Sequence, residues 1–404
     1  MKKVELLAPA GSMESLRAAI HNGADACYLG FGAANMRKNA KNFTEEKFIE
    51  AFEILHAHGK KGYMTLNTIY YDHEKELIHH MLDVAEKAKV DAVICWDPSI
   101  MMEVKKRGIP LHISTQASIA NSSAAQFYKD LGAECVVLAR ECTMKDLVEI
   151  RKNVDVNIEV FIHGAMCVAV SGRCFMSQFT TGRSANRGDC QQPCRYPYEV
   201  KGENHDVELK LDNNNVMSPK DLCTMPLIDK ILMAGANTLK IEGRARGPEY
   251  VAVATRSYRK AIDAFYEDNL TDELKAELTA DLKSVFNREF SDGFYMGQPI
   301  NDWSKEGNFA TKKKEQIGKI LKVYPKINVI ELAVQANNLK IGDEVLVTGE
   351  RCGAYFFELE SMQVEHESIE FASKGINVGI KVKDASDLRA NDKVYRLVSI
   401  FGAV

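Results

Sequence analysis

Ten cysteines punctuate this 404-residue chain, and five of them, Cys167, Cys174, Cys190, Cys194 and Cys223, fall within one 57-residue window. Thiolates gathered in one segment are what a soft metal ion or an inorganic cluster takes as ligands. Glycines at 164, 172, 182 and 188 interleave with them and let a backbone pass close to a bulky inorganic core. Structural zinc sites favour tight Cys-x2–4-Cys pairs. Only Cys190-x3-Cys194 approaches that spacing, whereas six residues separate Cys167 from Cys174. Four ligands at irregular spacing suit a [4Fe–4S] cluster better, with zinc as the competing occupant. A set of buried free thiols fits poorly among the glycine, arginine and glutamine neighbours. Cys27, Cys95, Cys135, Cys142 and Cys352 are scattered, and the first three of these sit in apolar runs where cysteine acts as a small hydrophobe.

Arginines crowd the same window: Arg173, Arg183, Arg187 and Arg195, followed downstream by Lys240, Arg244 and Arg246. The guanidinium fork suits carboxylate and phosphate. Some of these pair with nearby acids such as Asp189 and Glu242, yet a basic rim on a chain of formal net charge −4 points to a small anionic co-substrate or an RNA backbone. Phe175, Phe179, Tyr196 and Tyr198 are interleaved and either stack a base or join a core. Hydrolase signatures are missing. There is no H-E-x-x-H and no G-x-S-x-G. His56 and His58 do not share a helix face. Cys167 with His163 is conceivable as a peptidase pair, but four residues apart in one loop does not establish it.

These residues need elements to position them. Short apolar runs recur at Val4–Ala8, Ala24–Leu29, Gly62–Leu66, Asp91–Cys95, Leu111–Ser114, Glu134–Leu138, Asn157–Ile162 and Thr238–Ile241, mostly separated by amphipathic stretches. Thr44 starts one such helix and Gly59 stops it; another runs from near Asn121 to Gly132. Eight strands alternating with helices predict an α/β, (β/α)8 TIM-barrel-like unit over 1–298, with an open doubly wound sheet as the runner-up. The cysteine-rich loop, 164–223, then lies between strands seven and eight. Barrel active sites form at the C-terminal ends of the strands. Asn67, Asp97, Thr115, Gln116, Arg140, Glu141, His163, Glu242 and Arg244 occupy those ends, and we expect Gln116, Arg140, His163 and Glu242, with Glu159, to be catalytic. Two helices fill 247–286. A linker is expected over 299–316, with the triplet Lys312-Lys313-Lys314 as solvated surface. Short strands over 317–404 predict a small all-β barrel or sandwich. No run of about 18 apolar residues is present, so no membrane span is expected. Glu5, Pro9 and Gly11 break the N-terminal apolar run, so no signal peptide is expected and the chain is read as cytoplasmic, where structural disulfides are rare.

The stretch Glu159-x-Phe161-x-x-Gly164-Ala165-Met166-Cys167-x4-Gly172-x-Cys174-x-Met176-Ser177 is similar, at every defined position, to the signature of the collagenase-like peptidase family U32. Glu5 to Gly11, Ser114-Thr115-Gln116, Gly182 to Gly188, Ser218 to Cys223 and Lys240-Ile241-Glu242-Gly243-Arg244 also resemble it. The resemblance covers the first 300 residues, and the final β region looks like the family's C-terminal unit. The family name implies proteolysis. Its better understood members, however, imply oxygen-independent hydroxylation of tRNA, ribosomal RNA or a ubiquinone precursor. They also imply a four-cysteine [4Fe–4S] cluster and, for the RNA enzymes, prephenate as oxygen donor. Carried onto this chain, the cluster ligands become Cys167, Cys174, Cys190 and Cys223, with Cys194 as the alternate because a related subgroup uses a Cys-x3-Cys pair. Arg173, Arg183, Arg187, Arg195, Lys240 and Arg244 become substrate-binding residues. Size and layout look most like the tRNA-modifying group, which converts the wobble uridine to 5-hydroxyuridine. Tyr196 departs from the tryptophan common at that point in RNA-type members. The runner-up expectation is a zinc- or cysteine-dependent peptidase, and a third is a cluster-bearing RNA-binding protein without turnover. A paralogous or homo-oligomeric partner fits either hydroxylase or binding protein.

Overall fold

The structure is a computed structural model that describes residues 3–32, 35–36, 43–199, 215–297, 302–305 and 307–400. Eight short, apolar strands build its first unit: β1 (Glu5–Pro9), β2 (Ala26–Leu29), β3 (Lys61–Thr65), β4 (Ala92–Cys95), β5 (Leu111–Ile113), β6 (Cys135–Val137), β7 (Asn157–Gly164) and, after a short β8 (Asp221–Cys223), β9 (Thr238–Ile241). Each pairs in parallel with its predecessor in the barrel, and β9 pairs with both β7 and β1, which closes the sheet. The closed (β/α)8 barrel is therefore the observed architecture, not the open sheet. The strands lie within a few residues of the expected runs, because each is an isolated apolar segment with a helix on either side.

Between the strands run α1 (Met13–His21), α2 (Glu45–Ala57), α3 (Lys75–Lys87), α4 (Pro98–Lys106), α5 (Ser122–Asp130) and α6 (Met144–Asn153). Their starts follow capping chemistry. The Thr44 hydroxyl accepts from the Lys47 amide and the Asn121 side chain from that of Ala124. Thr143 and Asp146 form a reciprocal capping box on α6. Leu16, Phe48, Phe52, Leu55, Met81 and Leu82 fill the layer between helices and sheet. Leu7, Ala26, Tyr28, Tyr63, Ala92 and Ile94 form a separate cluster inside the barrel. After the six-residue helices α7 (Met176–Thr181) and α8 (Ile228–Met233), the expected pair follows as α9 (Pro248–Tyr266) and α10 (Asp272–Lys283).

The C-terminal unit is all-β. Eight antiparallel strands pair in the order Gly353–Glu358, Glu344–Gly349, Lys393–Ser399, Lys312–Tyr324, Val329–Val334, Asn377–Lys381, Met362–Val364 and Glu367–Ile369. They enclose a second apolar core that includes Ile317, Ile320, Leu332, Val345 and Ile380. Of the linker expected over 299–316, residues 299–301 and 306 lie outside the described residues. The first C-terminal strand begins at Lys312, because Lys312, Lys313 and Lys314 pair in register with Ser399, Val398 and Leu397. The lysine triplet is neutralised: Lys312 pairs with Glu344, Lys313 with Glu315 at 2.9 Å and Lys314 with Glu249 at 2.6 Å. The unit seats against α1, where Gly353 comes so close that a Cβ would lie 2.4 Å from the Ala18 amide nitrogen. Among the described residues no helix is long and apolar enough to cross a membrane.

Gly164 ends β7 at φ +107°, and a Cβ there would lie 2.5 Å from the Glu242 carbonyl oxygen. Gly164→Ala should therefore cost about 2–3 kcal/mol, through backbone strain and forced separation of β7 from β9. A chemical-denaturation midpoint unchanged from the parent would contradict this.

Candidate active site and cysteine cluster

A cavity opens at the C-terminal mouth of the barrel. Strand ends supply Thr65 and Asn67 after β3, Ser114 to Gln116 after β5, Arg140 after β6, Phe161 on β7, and Lys240, Glu242 and Arg244 from β9. The loop after β7 folds over it and contributes Cys167, Cys174, Cys190 and Cys194. Amides point at the sulfurs: Ala169 N–H donates to Cys167 Sγ at 3.5 Å and Met176 N–H to Cys174 Sγ at 3.3 Å. Burial first, and then the adjoining Cys167, Cys190 and Cys174, push the Cys194 thiol up to about 11 against the pull of Arg195. The four cysteines line one cavity wall, from which their sulfurs could serve a common metal centre.

Zinc and a cluster make different demands on these sulfurs. Four thiolates on one zinc at about 2.3 Å stand roughly 3.8 Å apart. Among the described residues, only His112, Cys135 and Glu159 bring three ligand-type atoms within 4.8 Å of one another, so no three of the four loop sulfurs do.

The cavity floor is polar. Lys240 Nζ lies 2.5 Å from Glu159 Oε1, with the side chains 6% and 0% exposed. The ammonium also sits over the Tyr28 ring at 4.4 Å. Burial raises the Glu159 carboxyl despite Lys240. Beneath it, Glu159 Oε2 and His112 Nδ1 have no hydrogen-bond partner, and burial pushes His112 down to about 3. On the walls, Arg244 donates to Thr65 Oγ1 at 2.7 Å and to Asn35 Oδ1 at 3.1 Å. Arg140 donates to the Ala165 carbonyl at 2.6 Å and lies 3.9 Å over the Phe161 ring. Asn67 donates to Gln116 Oε1 at 3.4 Å, and the Ser114 hydroxyl also donates there.

A family model of peptidase family U32 matches residues 11–305. The chain belongs to peptidase family U32. Family members differ in the activity for which they are named. A "Collagenase" of Porphyromonas gingivalis is 40% identical over 405 residues, covering 97% of this chain and 97% of its own. The "tRNA hydroxylation protein P1" of Bacillus subtilis is 37% identical, covering 89% of this chain and 87% of its own. The "23S rRNA 5-hydroxycytidine C2501 synthase" of Escherichia coli is 39% identical over 66% of this chain, which spans 40% of that protein. Membership makes this chain an enzyme by family.

The U32 barrel gathers some of the expected residues and separates others. Gln116, Arg140, Glu242, Lys240, Arg195 and Arg244 line the cavity with Cys167, Cys174 and Cys190. Cys223, expected as a ligand, does not line it; Cys194 does. On β8 the Cys223 position pairs with His163, and its thiol sits in the core, 4% exposed, within 3.9 Å of the Tyr258 hydroxyl. Burial pushes this thiol to about 11. His163, expected in the pocket, is also withdrawn. A bulge between Phe161 and His163 breaks the register against β9, so the inward alternation that places Glu159 and Phe161 stops before His163. Its ring packs among Tyr250, Tyr258 and Phe290, and burial pushes it down to about 3.

Arg187 clamps the loop from outside, with a forked pair to Glu74 and a bond to the Ile69 carbonyl. Arg195 ties the Met166 carbonyl at 2.6 Å to Ser218 Oγ at 2.9 Å. Arg183 pairs with Asp189 at 2.9 Å. Arg173 donates to Ser118 Oγ at 2.9 Å on the rim. Sequence reasoning missed Arg288, which enters the cavity wall from beyond α10. Burial, more than its neighbours, lowers it to about 10. Its sequence neighbours Glu289 and Asp292 give no basic signal, so nothing local flagged it.

Proposed function

We propose that this U32 enzyme is an oxygen-independent RNA hydroxylase of the cytoplasm, acting on the wobble uridine of tRNA, with a [4Fe–4S] cluster held by Cys167, Cys174, Cys190 and Cys194. The observation that carries the reading is the convergence of four cysteines on the same cavity as Arg140, Lys240, Arg244 and Arg288. When bound, the cluster would supply electron transfer or Lewis acidity. The net change at the base is C–H to C–OH, so a co-substrate must deliver one oxygen atom and accept two electrons. Prephenate is the co-substrate proposed: its hydroxyl would be the oxygen delivered, its ring system would take the two electrons as that C–O bond breaks, and its carboxylates match the cationic wall. Lys240, fixed by Glu159, can hold an anionic group or a proton at the floor. The rim loop excludes water once a base enters. A wobble nucleotide is already unpaired, so delivering it costs little.

Similarity to relatives named for RNA hydroxylation supports this reading; the similarity to a collagenase supports the alternative. Against a cysteine peptidase, the His163 ring packs among three aromatic rings and lies outside the cavity lined by Cys167. Anaerobic purification should yield about four irons and four sulfides per chain, and a deletion strain should lack wobble 5-hydroxyuridine by nucleoside mass spectrometry. Normal hydroxylation in a strain without a redundant paralogue would overturn the proposal. Proteolysis by iron-free protein that is lost with Cys167→Ser would favour the peptidase.

A further inference from the structure

The loop that carries the cysteines also carries apolar surface that the fold leaves bare. Phe175 and Phe179 stand one turn apart at the start of α7, 64% and 84% exposed. Their ring centroids are 6.0 Å apart at an interplanar angle of 48°. Cys174, Met176 and Ser177 line the cavity, so the two rings stand on the segment that forms one of its walls, outside the cavity itself. Scattered single hydrophobics need no explanation, but Val170 and Tyr196 are exposed on the same loop.

Geometry and charge select the occupant. Two rings 6.0 Å apart and tilted leave no room for a third between them, since a sandwich needs about 7 Å, two contacts of roughly 3.5 Å each. The free outer face of Phe179, buttressed by Phe175, instead offers one flat stacking surface. On this loop Arg183 pairs with Asp189 and Arg187 with Glu74, while Arg173 and Arg195 bond to hydroxyl and carbonyl oxygens and, among the described residues, keep their charge uncompensated by a paired carboxylate. The Arg173 guanidinium binds a hydroxyl and faces the Trp96 ring at 5.8 Å. A flat apolar face on a loop that keeps two arginines free of paired carboxylates among the described residues matches a nucleobase with its phosphate.

We infer that Phe179, buttressed by Phe175, is a stacking subsite for an unpaired nucleobase adjoining the one that enters the cavity. This rests on the RNA reading above and adds the part of the RNA that is gripped: a single-stranded loop. Base–aromatic stacking is independent of sequence and of salt release, whereas phosphate contacts set the salt dependence.

The test measures binding of the cluster-loaded full chain to an anticodon stem–loop RNA and to a fully paired duplex, by fluorescence anisotropy at several salt concentrations. Phe179→Ala should weaken loop binding about tenfold with the salt slope unchanged. Phe179→Trp should restore it, and duplex affinity should not move. Arg173→Ala should instead flatten the salt slope by about one unit. Cluster absorbance and melting should match the parent, since both rings are exposed. Loop affinity unchanged in Phe179→Ala, with RNA still bound by the parent, overturns this inference and leaves the hydroxylase reading standing. No RNA binding by the parent at any salt sinks both. A Phe179→Ala variant that dissociates an oligomer without altering RNA affinity assigns the patch to contact between copies and overturns the subsite.

Discussion

Cys194→Ser should strip the anaerobically prepared enzyme of its iron and visible absorbance and take wobble hydroxylation below detection, whereas Cys223→Ser should keep all three. The cavity holds the Cys194 sulfur with those of Cys167, Cys174 and Cys190, and a cluster that loses one of four thiolates loses its closed coordination. Cys223 lies behind β7 in the core with Tyr258. Its replacement exchanges a weakly polar thiol for a hydroxyl in an apolar setting. That should cost about 1–2 kcal/mol of stability, moderated because the Tyr258 hydroxyl remains as a partner. The readouts are iron per chain, absorbance near 400 nm on the order of that expected for a cluster, and the denaturation midpoint. The reverse pattern, iron lost with Cys223→Ser and retained with Cys194→Ser, would restore the ligand set implied by the family resemblance. It would require the β8 segment to peel from β7, because Cys223 and His163 are register partners there.

The difference between those two cysteines shows what one sequence can and cannot disclose. The barrel strands are legible because each is a local event: an apolar run, a helix, a capping residue such as Thr44 or Asn121. Residues at strand ends inherit that legibility, so Gln116, Arg140, Glu242 and Arg244 reach the cavity as the alternation requires. Non-local registry is not written in any window. His163 leaves the pocket because of one bulge opposite β9. Cys223 leaves it because a three-residue strand pairs antiparallel to the end of β7. Arginine content marked the loop as basic, yet Arg187 is engaged by Glu74, 113 residues earlier. Arg288 arrives from beyond the barrel's last helix pair, where no strand end pointed to it. The lysine triplet lies on the surface, as composition suggests; what no window shows is that it is a strand whose partners Glu344 and Glu249 come from other segments.

Lys240→Met should destabilise the barrel by about 3–5 kcal/mol at neutral pH, the largest stability loss of any single change at the site. Glu159 is fully buried with Lys240 2.5 Å away, and removing one member of a buried pair leaves an uncompensated charge. The pH dependence has a definite sign. The Glu159 carboxyl is already raised above its ordinary range, with burial outweighing Lys240. Without the ammonium it rises further, while the unfolded chain keeps a value of about 4.3. Between those two values the folded state holds the proton and the unfolded state does not, so stability must fall as pH rises through that window. The variant should therefore melt progressively earlier from pH 5 to pH 8 than the parent does. The double change Lys240→Met with Glu159→Leu removes both charges at nearly constant volume and should recover most of the lost stability. It should not recover turnover, since Lys240 also lines the cavity. Thermal melts of the single and double variants across that pH range, beside hydroxylation assays, separate the two roles. A Lys240→Met protein that melts like the parent at every pH would mean the Glu159 carboxylate finds another counter-charge, and the cavity floor would then need a different account.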